Sequence, residues 1–161
     1  LQESFNPLDF HHFATFLVQQ LSRIPSDLEQ AAIRTSVSRA YYASFLLIRD
    51  FILLRYEKTL PQDLKRVIRT NKAHRVVARI LELTDPVHAH YFINLRKLRN
   101  RADYETKESL MHKDLAKALK LAEAIVSNAN SIVSRINLGI LSEALQDPEN
   151  EHNRGYRGPN L

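Results

Sequence analysis

Apolar residues return along this chain at helical spacing, and the places where that spacing fails mark out its elements. Phe10, Phe13, Phe16, Leu17 and Leu21 predict a first helix over Leu8 to Ile24, limited by Pro7 and Pro25. Ser26 and Asp27 then offer an N-cap with Glu29 close behind, and the chain can run helical to about Tyr56. Val37, Tyr41, Ser44, Phe45, Ile48 and Ile52 form one stripe of that helix, and Ala31, Ala40, Ala43 and Ser44 keep part of it small. Small residues let a neighbour approach closely, so this segment is expected to be the central helix of a bundle. Glu57 to Pro61 reads as a turn.

Leu64 to Leu83 is again helical in period, with a break expected near Thr70 and Asn71. Thr84-Asp85-Pro86 is a helix start, a capping residue before a proline at the first helical position. The helix that follows, about Pro86 to Arg99, carries Phe92, Leu95 and Leu98 on its apolar face. Asp103 to Ser109 is a polar connection. A last long helix is expected over about Leu110 to Ile136, where Leu115, Leu119, Ala122, Val126, Ala129, Val133 and Ile136 follow the steps of a packed seam. Gly139 is placed to end it, with a short turn over Ile140 to Leu145. Residues 1–145 therefore read as a single all-α domain, an up-and-down bundle of about five helices. Residues 146–161, polar and rich in helix breakers, read as a flexible tail.

Composition narrows the function classes. The 161 residues suit one domain with its own core, and three glycines with six prolines argue against an all-β fold. No cysteine is present, which removes disulfides, thiolate metal sites and a cysteine nucleophile. No apolar run reaches the roughly eighteen residues of a membrane span, and no signal-peptide pattern opens the chain. A cytoplasmic protein without membrane contact is expected. Seven histidines raise the question of a metal, but no ligand spacing supports one, since His11 and His12 are adjacent and His88 and His90 lie on different helix faces. There is no Gly-rich phosphate loop and no nucleophile-elbow serine. Neither metal nor cofactor is expected.

Net charge is +5 with a pI near 9.6, and the excess is local. Lys65, Arg66, Arg69, Lys72, Arg75 and Arg79 fall between Leu64 and Ile80 with no acid among them. Arg96, Lys97, Arg99 and Arg101 form a second cluster, closed by Asn100, Asp103 and Tyr104. Such patches suit a polyanion, and arginines on a last helical turn are also ordinary helix-end chemistry. Of the Tyr41-Tyr42 pair, one ring is expected in the core and the other against a neighbouring helix or subunit.

Ser38-Arg39-Ala40-Tyr41-Tyr42-Ala43, the histidine at Lys72-Ala73-His74, and Leu98-Arg99-Asn100-Arg101-Ala102-Asp103-Tyr104 together resemble the HEPN superfamily. The similarity runs from about Ser26 to Ser134 and is greatest to a small prokaryotic branch reading R-N-x-A-D-Y. It implies a helical bundle that pairs as a symmetric homodimer with an RNA cleft between the copies. Many members are metal-independent endoribonucleases of toxin–antitoxin or phage-defence systems, whose motif is an Arg followed a few residues later by a His. Here Arg99 matches that arginine and Asn100 its neighbour, while Tyr104 stands at the histidine position. A tyrosine near its ordinary pKa of ~10 is a poor general base at neutral pH.

The resemblance thus implies Arg99, Asn100 and Tyr104 as the catalytic or phosphate-holding set, with Asp103, Tyr41 and Tyr42 supporting it. Arg96, Arg101, Arg69, Lys72, His74 and Arg75 are the expected nucleic-acid contacts. An antitoxin or nucleotidyltransferase partner is implied by the same likeness. The alternative expectation is a non-catalytic module that binds a nucleotide or a protein in the same cleft. A third holds Arg99 to Tyr104 to be a structural network in which Asp103 pairs with an arginine.

Overall fold

A computed structural model describes residues 5–146, so most of the expected tail lies outside the described residues; Gln146 closes a helix. Among the described residues there are seven α-helices and no strand: α1 (Leu8–Gln20), α2 (Glu29–Arg55), α3 (Gln62–Val67), α4 (Ala73–Thr84), α5 (Pro86–Tyr104), α6 (His112–Ser134) and α7 (Leu138–Gln146). The class is all-α, as the periodicity predicts. The count exceeds five because the basic segment splits into α3 and α4, and because α7 is a helix rather than a turn.

Both differences have local causes. The Thr70 hydroxyl donates to the Val67 carbonyl at 2.7 Å and accepts from the Lys72 amide at 3.2 Å, closing α3 in a turn. Asn137 Oδ1 accepts from the Ile140 amide at 3.0 Å and starts α7. Gly139 therefore lies inside the new helix, where a Cβ would meet that same Asn137 oxygen at 3.1 Å. At the other end, a single 3₁₀ turn (Leu21–Arg23) ends the α1 segment, and α2 begins at Glu29, with no side-chain cap from Ser26 or Asp27 at its start.

The 27 residues of α2 bury more than one face. Every member of the expected stripe is buried, and Ala32, Ile33, Ser36, Ser38 and Leu47 join it, while Ala31 faces outward. Helices α1, α5 and α6 pack around α2, and α4 joins α5 to α7. On α6 the buried set is Leu115, Ala118, Ala122, Ile125, Ala129, Ile132 and Val133, so Leu119 and Val126 sit at the edge of the seam.

Helix α1 departs furthest from expectation. Only Ala14 on it is fully buried, and Phe13 and Phe16 are 45% and 52% exposed. Its apolar face is wider than the contact α2 and α6 provide.

Helix α5 starts as predicted and ends later. Asp85 is buried, its Oδ1 accepts from the His88 amide at 3.1 Å, and Pro86 takes the first helical position. Its Oδ2 accepts from His88 Nδ1 at 2.7 Å and pairs with Arg135 beyond the end of α6. Burial alone would raise the Asp85 pKa, but the His88 and Arg135 hydrogen bonds hold it below the usual carboxylate range. The helix continues to Tyr104 instead of stopping near Arg99, which places Arg99 and Asp103 one turn apart on one face.

Candidate functional site

Four carbonyls at the end of α5 and just beyond it converge on one side chain. Arg34, on α2, donates to the carbonyls of Arg101 at 3.1 Å, Ala102 at 2.8 Å and Glu105 at 3.1 Å, and also to that of Glu108. The Arg101 carbonyl also accepts from the Glu105 amide at 3.2 Å, so the guanidinium adds to the closing bond of α5 and ties the helix end to the connection that follows. One turn earlier on α2, Gln30 donates to the Leu110 carbonyl at 2.9 Å and accepts from the Leu110 amide at 3.1 Å. The polar connection into α6 is thereby tied to α2 at both ends.

On this fixed end sits a half-buried clasp around Arg99. Its Nη2 donates to the Tyr42 hydroxyl at 2.8 Å, and its Nη1 to Asn100 Oδ1 at 3.3 Å. Its Nε lies 2.6 Å from Asp103 Oδ2, an ion pair without hydrogen-bond alignment. Asp103 also accepts from the Ser38 hydroxyl at 3.3 Å. The guanidinium carbon is 5.1 Å from the ring centres of both Tyr42 and Tyr104. Burial would lower the Arg99 pKa, but the Asp103 carboxylate, followed by the two tyrosines, holds it above its ordinary value. The cation is permanent and is held by Tyr42, Asn100 and Asp103. The expected pairing of Asp103 with an arginine is present, and its partner is Arg99.

Tyr41 is fully buried in the core, and Tyr42 is half-buried with its hydroxyl against Arg99 of the neighbouring α5. Beneath them is His74, from α4, whose Nδ1 lies 2.8 Å from the Tyr41 hydroxyl and whose ring is 4.0 Å from that of Phe45. Burial, then the charges of Arg96, Arg99 and Arg49, push His74 down to about 4. Burial likewise holds the Tyr41 hydroxyl above its usual value. His74 is therefore a neutral imidazole at pH 7. The sign of its contribution follows from a folded pKa below the unfolded ~6.5: stability is full above ~6.5 and is lost as pH falls toward the folded value. Titration of the His74 ring protons by NMR is expected to show a midpoint near 4, with the unfolding midpoint declining over the same window.

The remaining expected contacts disperse. Arg96 approaches the Tyr41–His74 pair. Arg101 turns to Asp114 at 3.3 Å and Glu108 at 3.5 Å, so its charge is offset. Arg69 lines a shallow surface recess with Gln62, Lys65 and Arg66, whereas His74 joins the Arg99 centre. Lys72 and Arg75 are exposed on the turn before α4 and its first turn. The basic run is less free than its composition implies, because Arg66 pairs with Asp63 at 2.6 Å and Arg79 with Glu82 at 3.3 Å.

Sequence reasoning missed Arg34, Arg39 and the aromatic residues at the mouth of the site. Phe5, Asp9, Phe10, Phe13, Arg34, Thr35, Ser38, Arg39, Ala102 and Asp103 line an open groove of about 790 Å³ beside Arg99. Among the described residues, no three His, Asp or Glu side chains converge as metal ligands, and no helix is long and apolar enough to cross a membrane.

No protein-family model matches this chain, and no solved structure does. An uncharacterized protein of Methanocaldococcus jannaschii is 31% identical over 112 residues, which cover 64% of this chain and 65% of the relative. The chain thus spans a little under two thirds of that relative's length.

Proposed function

We propose that this chain is a HEPN-like, RNA-binding protein of a toxin–antitoxin or phage-defence system. It acts as a homodimer whose cleft grips the RNA backbone at Arg99, with weak or no cleavage. The clasp is what carries this reading: a permanent cation, oriented by Asp103 and Tyr42, flanked by an exposed ring at Tyr104 and approached by Arg96. A held guanidinium suits a phosphate that must be positioned. Tyr104 at the motif histidine position lacks a base suited to neutral pH, which supports holding RNA over cutting it. The cleft would supply phosphate contacts from Arg99 and Arg96, with Asn100 and Asp103 fixing the geometry.

The alternative, a non-catalytic module for a nucleotide or a partner protein, draws on one observation. Asp103 already meets part of the Arg99 charge. Incubating a mixed RNA pool with the protein in EDTA, beside Arg99→Ala, separates the two. Salt-sensitive RNA binding, weakened at least about tenfold in the variant, with little cleavage, is the expected result. RNA binding indifferent to Arg99 would give way to the partner-protein reading.

A further inference from the structure

Rings and guanidiniums follow one another in an unbroken series from Phe5, just before α1, to Tyr104 at the end of α5. The rings of Phe5 and Phe10 lie 4.7 Å apart, and the Arg39 guanidinium carbon is 4.6 Å from the Phe10 centre and 5.1 Å from that of Tyr42. Arg99 continues the series, 5.1 Å from Tyr42 on one side and 5.1 Å from Tyr104 on the other. The two ends are open, with Phe5 56% and Tyr104 63% exposed, and Phe13 stands exposed on the groove wall.

A core does not explain this arrangement. Phe5, Phe10 and Arg39 border the groove, while Tyr42, Arg99 and Tyr104 carry the series past its Asp103 wall to the end of α5. Nor is Arg39 held as Arg99 is: its side chain donates to the Ser38 hydroxyl at 3.4 Å, and it has no carboxylate partner among the described residues. The groove's two carboxylates are Asp9 and Asp103, and the second is engaged by Arg99. The surface is therefore aromatic and cationic at once. That combination fits a strand whose bases are free to lie on rings while its phosphates meet guanidiniums. A duplex cannot use it, because its bases are already stacked on one another.

We propose that this series is a track for single-stranded RNA, with a base-stacking subsite at Phe10, Phe13 and Arg39 beside the Arg99 clasp. The proposal rests on the RNA-binding reading above and adds to it the strand state of the ligand and the place where a flanking base sits.

The chain has no tryptophan, so a 2-aminopurine base in a short single-stranded RNA reports stacking without interference. Phe13→Ala and Arg39→Gln alter exposed or half-exposed side chains and should fold. Each is expected to weaken single-strand binding about tenfold and to remove the 2-aminopurine quench, leaving affinity for the matching duplex within about twofold. Arg99→Ala should weaken both ligands. Loss of binding in Arg99→Ala with full binding and quench in Phe13→Ala and Arg39→Gln would overturn the subsite while leaving the RNA reading intact. Failure of the unaltered protein to bind any RNA would overturn both. If Phe13→Ala splits a dimer without changing RNA affinity, the phenylalanine face is a contact between copies and the subsite is refuted.

Discussion

Replacing Arg34 by alanine is expected to lower the unfolding free energy by about 3 kcal/mol and to release the end of α5. The side chain answers four carbonyls at once, those of Arg101, Ala102, Glu105 and Glu108. Simple addition of four charge-assisted bonds would overshoot, because Glu108 is exposed and water can replace the guanidinium there. The carbonyls of Arg101 and Ala102 are nearer the core and harder to resolvate. Lysine at this position keeps the charge but lacks the planar fork, so Arg34→Lys should restore less than half of the loss. Denaturant unfolding measures the total. Hydrogen exchange locates it, and amides of residues 101–110 should lose protection before those of α2. An unchanged midpoint in Arg34→Ala would mean that the α5 end holds itself.

The second large effect belongs to Asp85. Alanine there removes the α5 cap, a ring contact to His88 and the ion pair to Arg135 together, for an expected loss of about 2–4 kcal/mol. Asparagine can still accept from the His88 amide, so Asp85→Asn should recover the cap and not the charge. The pH dependence separates these roles. Because the folded carboxyl titrates below its usual range, its contribution is complete above the unfolded value of ~3.9 and disappears as pH falls through the folded one. Acid unfolding followed by circular dichroism should therefore show a shallower slope below about pH 4 in Asp85→Asn than in the unaltered chain. Equal slopes would assign the acid sensitivity to other carboxylates, Asp114 first among them, since the Met111 amide and Arg101 also hold its pKa down.

What the sequence disclosed was whatever depends on neighbours in the chain. Asp85 before Pro86 is a local signal, and it starts α5 where predicted. Tyr41 lies on a stripe whose members are all buried, because periodicity reports which residues share a face. Periodicity does not report whether anything covers that face, and so Phe13 and Phe16 read as core and stand exposed. Charge counting fails in the same way. Arg101 looked available until the fold brought Asp114 to it, thirteen residues along the chain. Arg34 had no local signature, and Arg39 stood only as one letter of the Ser38–Ala43 motif with nothing to mark its contacts. Their roles arise from partners 67 or more residues away and from a ring on α1. The Arg99–Asp103 pair needed only that α5 continue one more turn than its apolar pattern announced.

The tethers from α2 also set an order of events as the chain is made. Gln30 must wait for Leu110, 80 residues later, Arg34 for Glu105, 71 later, and Tyr56 for Ile136, 80 later. At the usual pace of translation that delay is on the order of 4–16 seconds. Until α5 and α6 emerge, the buried faces of α2 lack two of the three helices that pack most closely on them. The Arg99 centre closes only at the end, when Arg34 takes hold of the finished α5.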